Sequence, residues 1–265
     1  MHLALPFFLI SLAAALGLPG LCRFSFWWAL PLFLASELLL HAGLVLVIWL
    51  CCRRVDRDKP LERQFPGAVT GTRIIARLLC DYGGLRPVVL GEEKLPKEPF
   101  LIVCNHRSMF DPLMGIVALE KHNISYISNP SNMQIPLIGD IAYAAGFLPI
   151  DRENDRRALK SILQAADYLK RGVCSMGIYP EGTRSRTGEL LPFHAGSFKI
   201  AQRASAPLVI AAIRGSEKMK RRLFLRPTRV ELEILEVLPP EEVKAMSTHE
   251  LAEHSRELME KALEQ

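Results

Sequence analysis

Between Leu3 and Leu50 apolar positions follow one another almost without interruption, and the only charged side chains are Arg23 and Glu37. Two runs, LALPFFLISLAAALGLPGLC and FSFWWALPLFLASELLLHAGLVLVIWL, each reach the roughly 20 apolar residues that a bilayer crossing takes. They predict a helical hairpin hinged near Pro19, Gly20 and Arg23. Past residue 60 the pattern changes to short apolar runs alternating with helical periods. FLIVC, ISYIS, FLPI, CSMGIY and LVIAAI read as buried strands. RALKSILQAADYLKRG places Leu159, Ile162, Leu163, Ala166 and Leu169 on one helical stripe that ends at Gly172. RVELEILEVL alternates Val230, Leu232 and Ile234 with Glu231, Glu233 and Glu236, a strand with one wetter face. Ser247 and Glu250 form a capping box that opens a last helix along Leu251, Leu258 and Ala262. The alternation predicts an α/β fold: a mostly parallel central sheet covered by helices, preceded by the N-terminal hydrophobic hairpin. Its boundaries fall at 1–58 for the hairpin and basic flank and 59–265 for the α/β domain.

Charge gives the hairpin an orientation. Arg53, Arg54, Arg57, Lys59 and Arg63 follow it directly, which puts this flank and everything downstream on the cytoplasmic side of a membrane. A cleaved signal peptide fits less well, because no Lys or Arg precedes the first run and a second run follows at once. A hairpin that dips into one leaflet stays open beside one that spans, since Pro6, Pro19 and Pro31 interrupt the runs and Trp27 and Trp28 suit an interface. Glu37 and His41, one helical turn apart, are expected to pair with each other. The net charge of +5 is gathered partly at this flank and partly in KMKRRLFLRPTR, which fits anionic lipid head groups or a phosphorylated substrate, or simply a solvated loop. The six cysteines lack metal-ligand spacing and disulfide density, so reduced thiols and no bound metal are expected. A hydrophobic content of 49% excludes a disordered chain.

The first candidate chemistry lies in FLIVCNHRSMFDPL, where a buried strand runs into His106 and then Asp111. Residues five apart are separated by about 140° around a helix, so the two meet only across a turn. Asp111 suits an N-cap and Pro112 the first helical position. One reading is a capping aspartate beside a loop histidine. The other is a general base with a carboxylate orienting its ring, at the sheet edge where α/β proteins carry their sites. A second strand runs into GIYPEGTRSRTGELLPFHAGSFKIA, with Glu181, Gly182, Thr183 and Arg184 in the loop; Arg184 has the donor fork that clamps a phosphate. Arg152, closing the strand in AAGFLPIDRENDRRA, is placed to join the same anion pocket. No G-x-S-x-G elbow is present, so a base here would act on a substrate hydroxyl directly.

Four blocks in order, NHRSMFD, GFLPIDR, YPEGTRS and APLVIAAI, make the segment from about Pro99 to Arg214 resemble the membrane glycerolipid acyltransferases, especially the 1-acylglycerol-3-phosphate acyltransferases. The resemblance implies His106 as catalytic base and Asp111 as its orienting partner. It implies that Glu181, Gly182, Thr183 and Arg184, with Arg152, hold a lysophosphatidate acceptor. It further implies acyl-CoA or acyl-carrier protein as donor, no cofactor, an anionic phospholipid bilayer as partner and no nucleic acid. His194 departs from the pattern, which often has lysine or arginine there.

Overall fold

The computed structural model describes residues 3–22, 26–185, 187–218 and 227–264. Helix α1 (Ala4–Cys22) and helix α2 (Ala29–Cys52) pack against each other as the predicted hairpin. α1 continues through Pro19 and Gly20, the expected hinge, to Cys22, and Arg23 lies outside the described residues. A helix satisfies its own backbone groups, which is the demand an apolar environment imposes and which a break at Pro19 would forfeit. Pro6 and Pro31 each sit in the first turn of their helix, where a proline costs least. Helix α3 (Pro66–Tyr82) follows, with Ile48 of α2 packed against Gly71 so closely that a Cβ there would meet it at 2.3 Å.

The domain beyond is built on a seven-stranded sheet: β1 (Leu85–Leu90), β2 (Leu101–Cys104), β3 (Ile124–Ser128), β4 (Leu148–Pro149), β5 (Ser175–Ile178), β6 (Leu208–Arg214) and β7 (Thr228–Leu238). Their spatial order is β1-β7-β6-β2-β5-β3-β4. β6, β2, β5, β3 and β4 are parallel, β7 is antiparallel to β6, and β1 is parallel to β7. The mostly parallel sheet is therefore as expected. Of the predicted strands, β7 alternates as read as far as Ile234; Leu235 is then left over as a bulge opposite β6, and the alternation changes face.

Helices α4 (Asp111–Ala118), α5 (Ile138–Ala144), α6 (Asp155–Lys170), α7 (Lys199–Ala204), α8 (Pro240–Ala245) and α9 (Thr248–Leu263) complete the layers. Successive residues of each central strand serve opposite cores. Leu101, Val103, Leu208 and Ile210 pack with α6, α7, α8 and α9; Ile102, Cys104, Val209 and Ala211 pack with α3 and α4. The Ser247–Glu250 capping box is present at the start of α9. The stripe predicted on α6 is rotated. Ile162, Ala166 and Leu169 are buried as expected, but Leu159 and Leu163 are 46% and 45% exposed, because Ala165 and Tyr168 take the core positions instead. Tyr168 is tolerated there because its hydroxyl accepts from Leu61 N at 2.9 Å.

Glu37 and His41 do pair, at 3.5 Å, and Tyr82 of α3 donates to the same Glu37 oxygen at 2.9 Å. Asp81 beside it accepts from the backbone amides of Leu3 and Ala4, at 2.6 and 3.3 Å. The start of α1 is thereby fixed to the end of α3. β1 runs against the central strands, so its first residue, Leu85, lies at the edge where β2 and β6 end. The hairpin thus leaves the domain from the carboxyl edge of the parallel strands. Along it Phe8, Leu9, Ile10, Leu16, Trp27, Leu30, Leu34, Leu38 and Leu39 are exposed. Among the described residues, one helix, Ala29–Cys52, is long and apolar enough to cross a membrane. Cys51, Cys52, Cys80, Cys104 and Cys174 are free thiols. The basic stretch after Lys218, up to Arg226, lies outside the described residues.

Candidate active site

β2 ends at Cys104, and the next residue, Asn105, is fully buried because its side chain mimics a strand partner. It donates to Ile213 O at 3.0 Å and accepts from Ile213 N at 2.7 Å, so β6 fixes the point at which the chain turns. His106 follows on the turn. Its Nδ1 lies 2.9 Å from Asp111 Oδ2, the aspartate is completely buried, and the histidine side chain keeps 17% of its surface open. The same oxygen accepts from the amides of Arg107 and Ser108, each at 2.8 Å. Asp111 was expected as an N-cap with Pro112 first in the helix. It is instead the first residue of α4 and makes no cap, because its carboxylate folds back to satisfy the amides of the turn that carries His106.

The loop after β5 is tied to this turn at several points. Glu181, buried, accepts from His106 N at 2.6 Å through Oε1 and from Leu191 N at 3.0 Å through Oε2. Ser185 N donates to His106 O at 2.9 Å and Arg107 Nη2 to Gly188 O at 2.6 Å. Burial pushes the Glu181 carboxyl above the usual range, while its two amide donors pull it back down. With both oxygens taken by backbone, Glu181 braces the two loops against each other.

The remaining sequence candidates fall into two places. Gly182 sits at φ 75°, and a Cβ there would come within 2.9 Å of His194 Nε2, so conformation and space both select glycine. Arg152 Nη1 donates to Gly182 O, which brings the strand-end arginine to this loop as expected. Thr183 and Arg184 are exposed, and the Arg184 guanidinium has no hydrogen-bond or ion-pair partner among the described residues. A cavity of about 410 Å³ opens beside Gly182 and Arg152; Thr183, Arg184, His106 and Asp111 are not among the residues that line it. Its walls are largely apolar, with Ile150, Ala158, Leu159, Ile162, Ile178 and Ala195; Arg152, His194 and Lys199 supply its basic groups and Asp155 an acidic one. Leu159, displaced from the core, is thus part of a lined hollow.

Two contributors are not among the expected site residues, although Tyr179 opens the YPEGTRS block. Tyr179, a strand-end aromatic like many others, stacks on the His106 ring with centroids 4.2 Å apart and planes at 17°. Lys199, one lysine among many, reaches the cavity only because α7 starts against α6. Among the described residues no group of three or more His, Cys, Asp or Glu is arranged to hold a metal ion.

A family model described as Acyltransferase matches residues 86–214, a span that contains every residue just described. Over these 129 residues the chain is similar to that family. A putative 1-acyl-sn-glycerol-3-phosphate acyltransferase of Caenorhabditis elegans is 29% identical over 184 residues, covering 68% of this chain and 65% of that protein. A 1-acyl-sn-glycerol-3-phosphate acyltransferase of Salmonella typhimurium is 30% identical over 166 residues, covering 62% of this chain and 66% of the relative. The chain therefore spans just under two thirds of the length of these relatives. The crystal structure of the 1-acyl-sn-glycerophosphate (LPA) acyltransferase PlsC from Thermotoga maritima superposes with a TM-score of 0.57 at 24% identity, over 85% of this chain and 88% of that one, and shares the fold.

Proposed function

We propose that the chain is a member of this family and moves a fatty acyl group from an acyl thioester to the sn-2 hydroxyl of 1-acylglycerol-3-phosphate, giving phosphatidic acid for phospholipid synthesis. The observation that carries this reading is the His106–Asp111 pair, 2.9 Å apart on a braced turn with one ring edge open. With Nδ1 facing a buried carboxylate, the lone pair resides on Nε2, the nitrogen free to take a proton. His106 removes the acceptor hydroxyl proton, and the oxygen attacks the thioester carbonyl. The C–S bond then breaks, and the proton passes from the imidazolium to the departing thiolate. Asp111 stabilises the imidazolium in between. No acyl-enzyme is formed.

The acceptor's phosphate is assigned to Arg152 and Arg184, which the resemblance names, with Lys199 as a further cation at the adjoining cavity. Gly182 and Thr183 line its approach, and Glu181 holds the loop that carries them. Acyl-CoA or acyl-carrier protein is the donor, and the reaction calls for no cofactor. Residues 1–58 seat the chain in an anionic bilayer, and residues 59–265 work on the cytoplasmic side. This is supported by the hairpin leaving from the edge that carries His106, so that acceptor in the leaflet and base face each other. The test is a product assay with membranes containing the protein, lysophosphatidate and a set of acyl donors, resolved by mass. Diacyl phosphatidate is expected, together with a loss of about 10²–10⁴-fold for His106→Ala. A product formed only from phosphate-free lysolipids would overturn the acceptor assignment.

A further inference from the structure

Two tyrosines are stacked in succession behind His106. Tyr179 lies face to face with the imidazole, and Tyr126 of β3 lies behind Tyr179 with centroids 5.7 Å apart and planes at 9°. Both tyrosines are buried, and two glycines clear the room for the second. A Cβ on Gly115 of α4 would stand 1.8 Å from the Tyr126 hydroxyl oxygen, and one on Gly177 of β5 would stand 2.3 Å from its ring. The sheet and α4 thus hold Tyr126 rigidly, Tyr126 holds Tyr179, and Tyr179 covers one face of the histidine.

We propose that Tyr179, backed by Tyr126, is a positioning residue that fixes the plane of the His106 ring and stabilises the charge the ring acquires in turnover. This deepens the proposed function and rests on His106 being the base. Asp111 sets the ring's direction through Nδ1 only; rotation about that hydrogen bond would swing Nε2, and a flat partner at 4.2 Å prevents it. The π face of a phenol also attracts a cation, so the stack favours the imidazolium over the neutral ring. The phenol itself is not the acid, since burial pushes its ionisation far above the ordinary range.

The charged groups beside His106 are Asp111 from α4, Glu181 from the loop after β5 and the adjoining Arg107, while Tyr126 from β3 and Cys104 from β2 lie beside Tyr179. All stay the same when residue 179 alone is varied. The test places phenylalanine and then mono-, di- and trifluorinated phenylalanines at position 179 of the full chain in membranes. These rings keep the shape while draining negative charge from the π face. The rate with lysophosphatidate and acyl-CoA is recorded against pH. Activity rises with pH as the histidine becomes neutral, so a less stabilised imidazolium moves that rise to lower pH. A progressive displacement of about 0.5–1 pH unit from phenylalanine to the trifluorinated ring is expected. Tyr179→Leu should show the same displacement and a drop in kcat of about tenfold or more, with the acceptor KM much less affected. A rise that stays in place across the fluorinated series overturns the proposal while leaving His106 as base. His106→Ala retaining activity in the same assay would overturn the base assignment itself, and the proposal with it.

Discussion

Asp111 sends one oxygen to three donors, His106 Nδ1 and two backbone amides, and this concentration separates its structural and chemical duties. Asparagine keeps one carbonyl oxygen in that position, so Asp111→Asn should lower stability by no more than about 1 kcal/mol. It removes the anion that the imidazolium needs, so kcat should fall about 10³–10⁴-fold. Thermal unfolding and single-turnover rates on one preparation separate the two; a collapse in stability with full activity in the folded fraction would make the residue a structural clamp. Arg184 tests the acceptor. It is exposed and unpartnered among the described residues, so Arg184→Lys disturbs no contact and leaves the charge in place. What is lost is the planar fork, worth about 1.5–3 kcal/mol where it grips a phosphate, so kcat/KM for lysophosphatidate should fall roughly tenfold to a hundredfold. The loss should be much smaller for a lysolipid without phosphate, and equal losses on both would remove Arg184 from phosphate binding. The His106–Asp111 pair was legible because both ends lie in one short turn. The bracing role of Glu181 was not, because its two amides come from positions 75 and 10 residues away.

Elements whose faces are wholly buried were legible from apolar runs alone, which is why β2, β3, β5 and β6 fall where LIVC, ISYIS, SMGI and LVIAAI stand. β1 escaped notice because LRPVVL carries Pro87, which argues against a strand; it is an edge strand, where a missing amide donor is tolerated. In α6 the periodicity located the helix but not its rotation, since a leucine looks the same to a core and to a cavity wall. The structure makes the distinction measurable. Ile162→Ala removes a buried side chain and should cost about 2–4 kcal/mol in urea unfolding. Leu163→Ala, on the exposed side, should cost under about 1 kcal/mol. Equal costs would mean that the outer leucines are covered in the functional state, as they would be by a lipid chain or the bilayer.

For the whole molecule, the hairpin divides between two tasks that the hydrophobic run could not separate. Beyond Leu3, Ala4 and Glu37, which are tied to the end of α3, α1 and the first half of α2 extend away from the domain. The second half of α2 belongs to the domain. Ile48 and Cys52 are buried with Ala68, Ile141, Ala144 and Ala145, and Trp49 Nε1 donates to Asp140 at 2.9 Å. Truncation before and after this half should therefore give different proteins. Removing residues 1–40 leaves the buried contacts in place and should yield a folded domain that still acylates a short-chain, monomeric lysophosphatidate. On acceptor presented in anionic vesicles it should lose most of its rate if the hairpin is the proposed bilayer anchor, because nothing then holds the site at the membrane. Removing residues 1–50 takes Ile48 and Trp49 as well, and the opened core of α3 and α5 should cost at least the 2–5 kcal/mol of a large buried side chain. Unfolding midpoints rank the two truncations, and vesicle flotation followed by a turnover assay reads attachment. Undiminished turnover on vesicles by the 1–40 deletion would sink the anchoring role, and equal midpoints for the two deletions would assign the whole of α2 to the membrane.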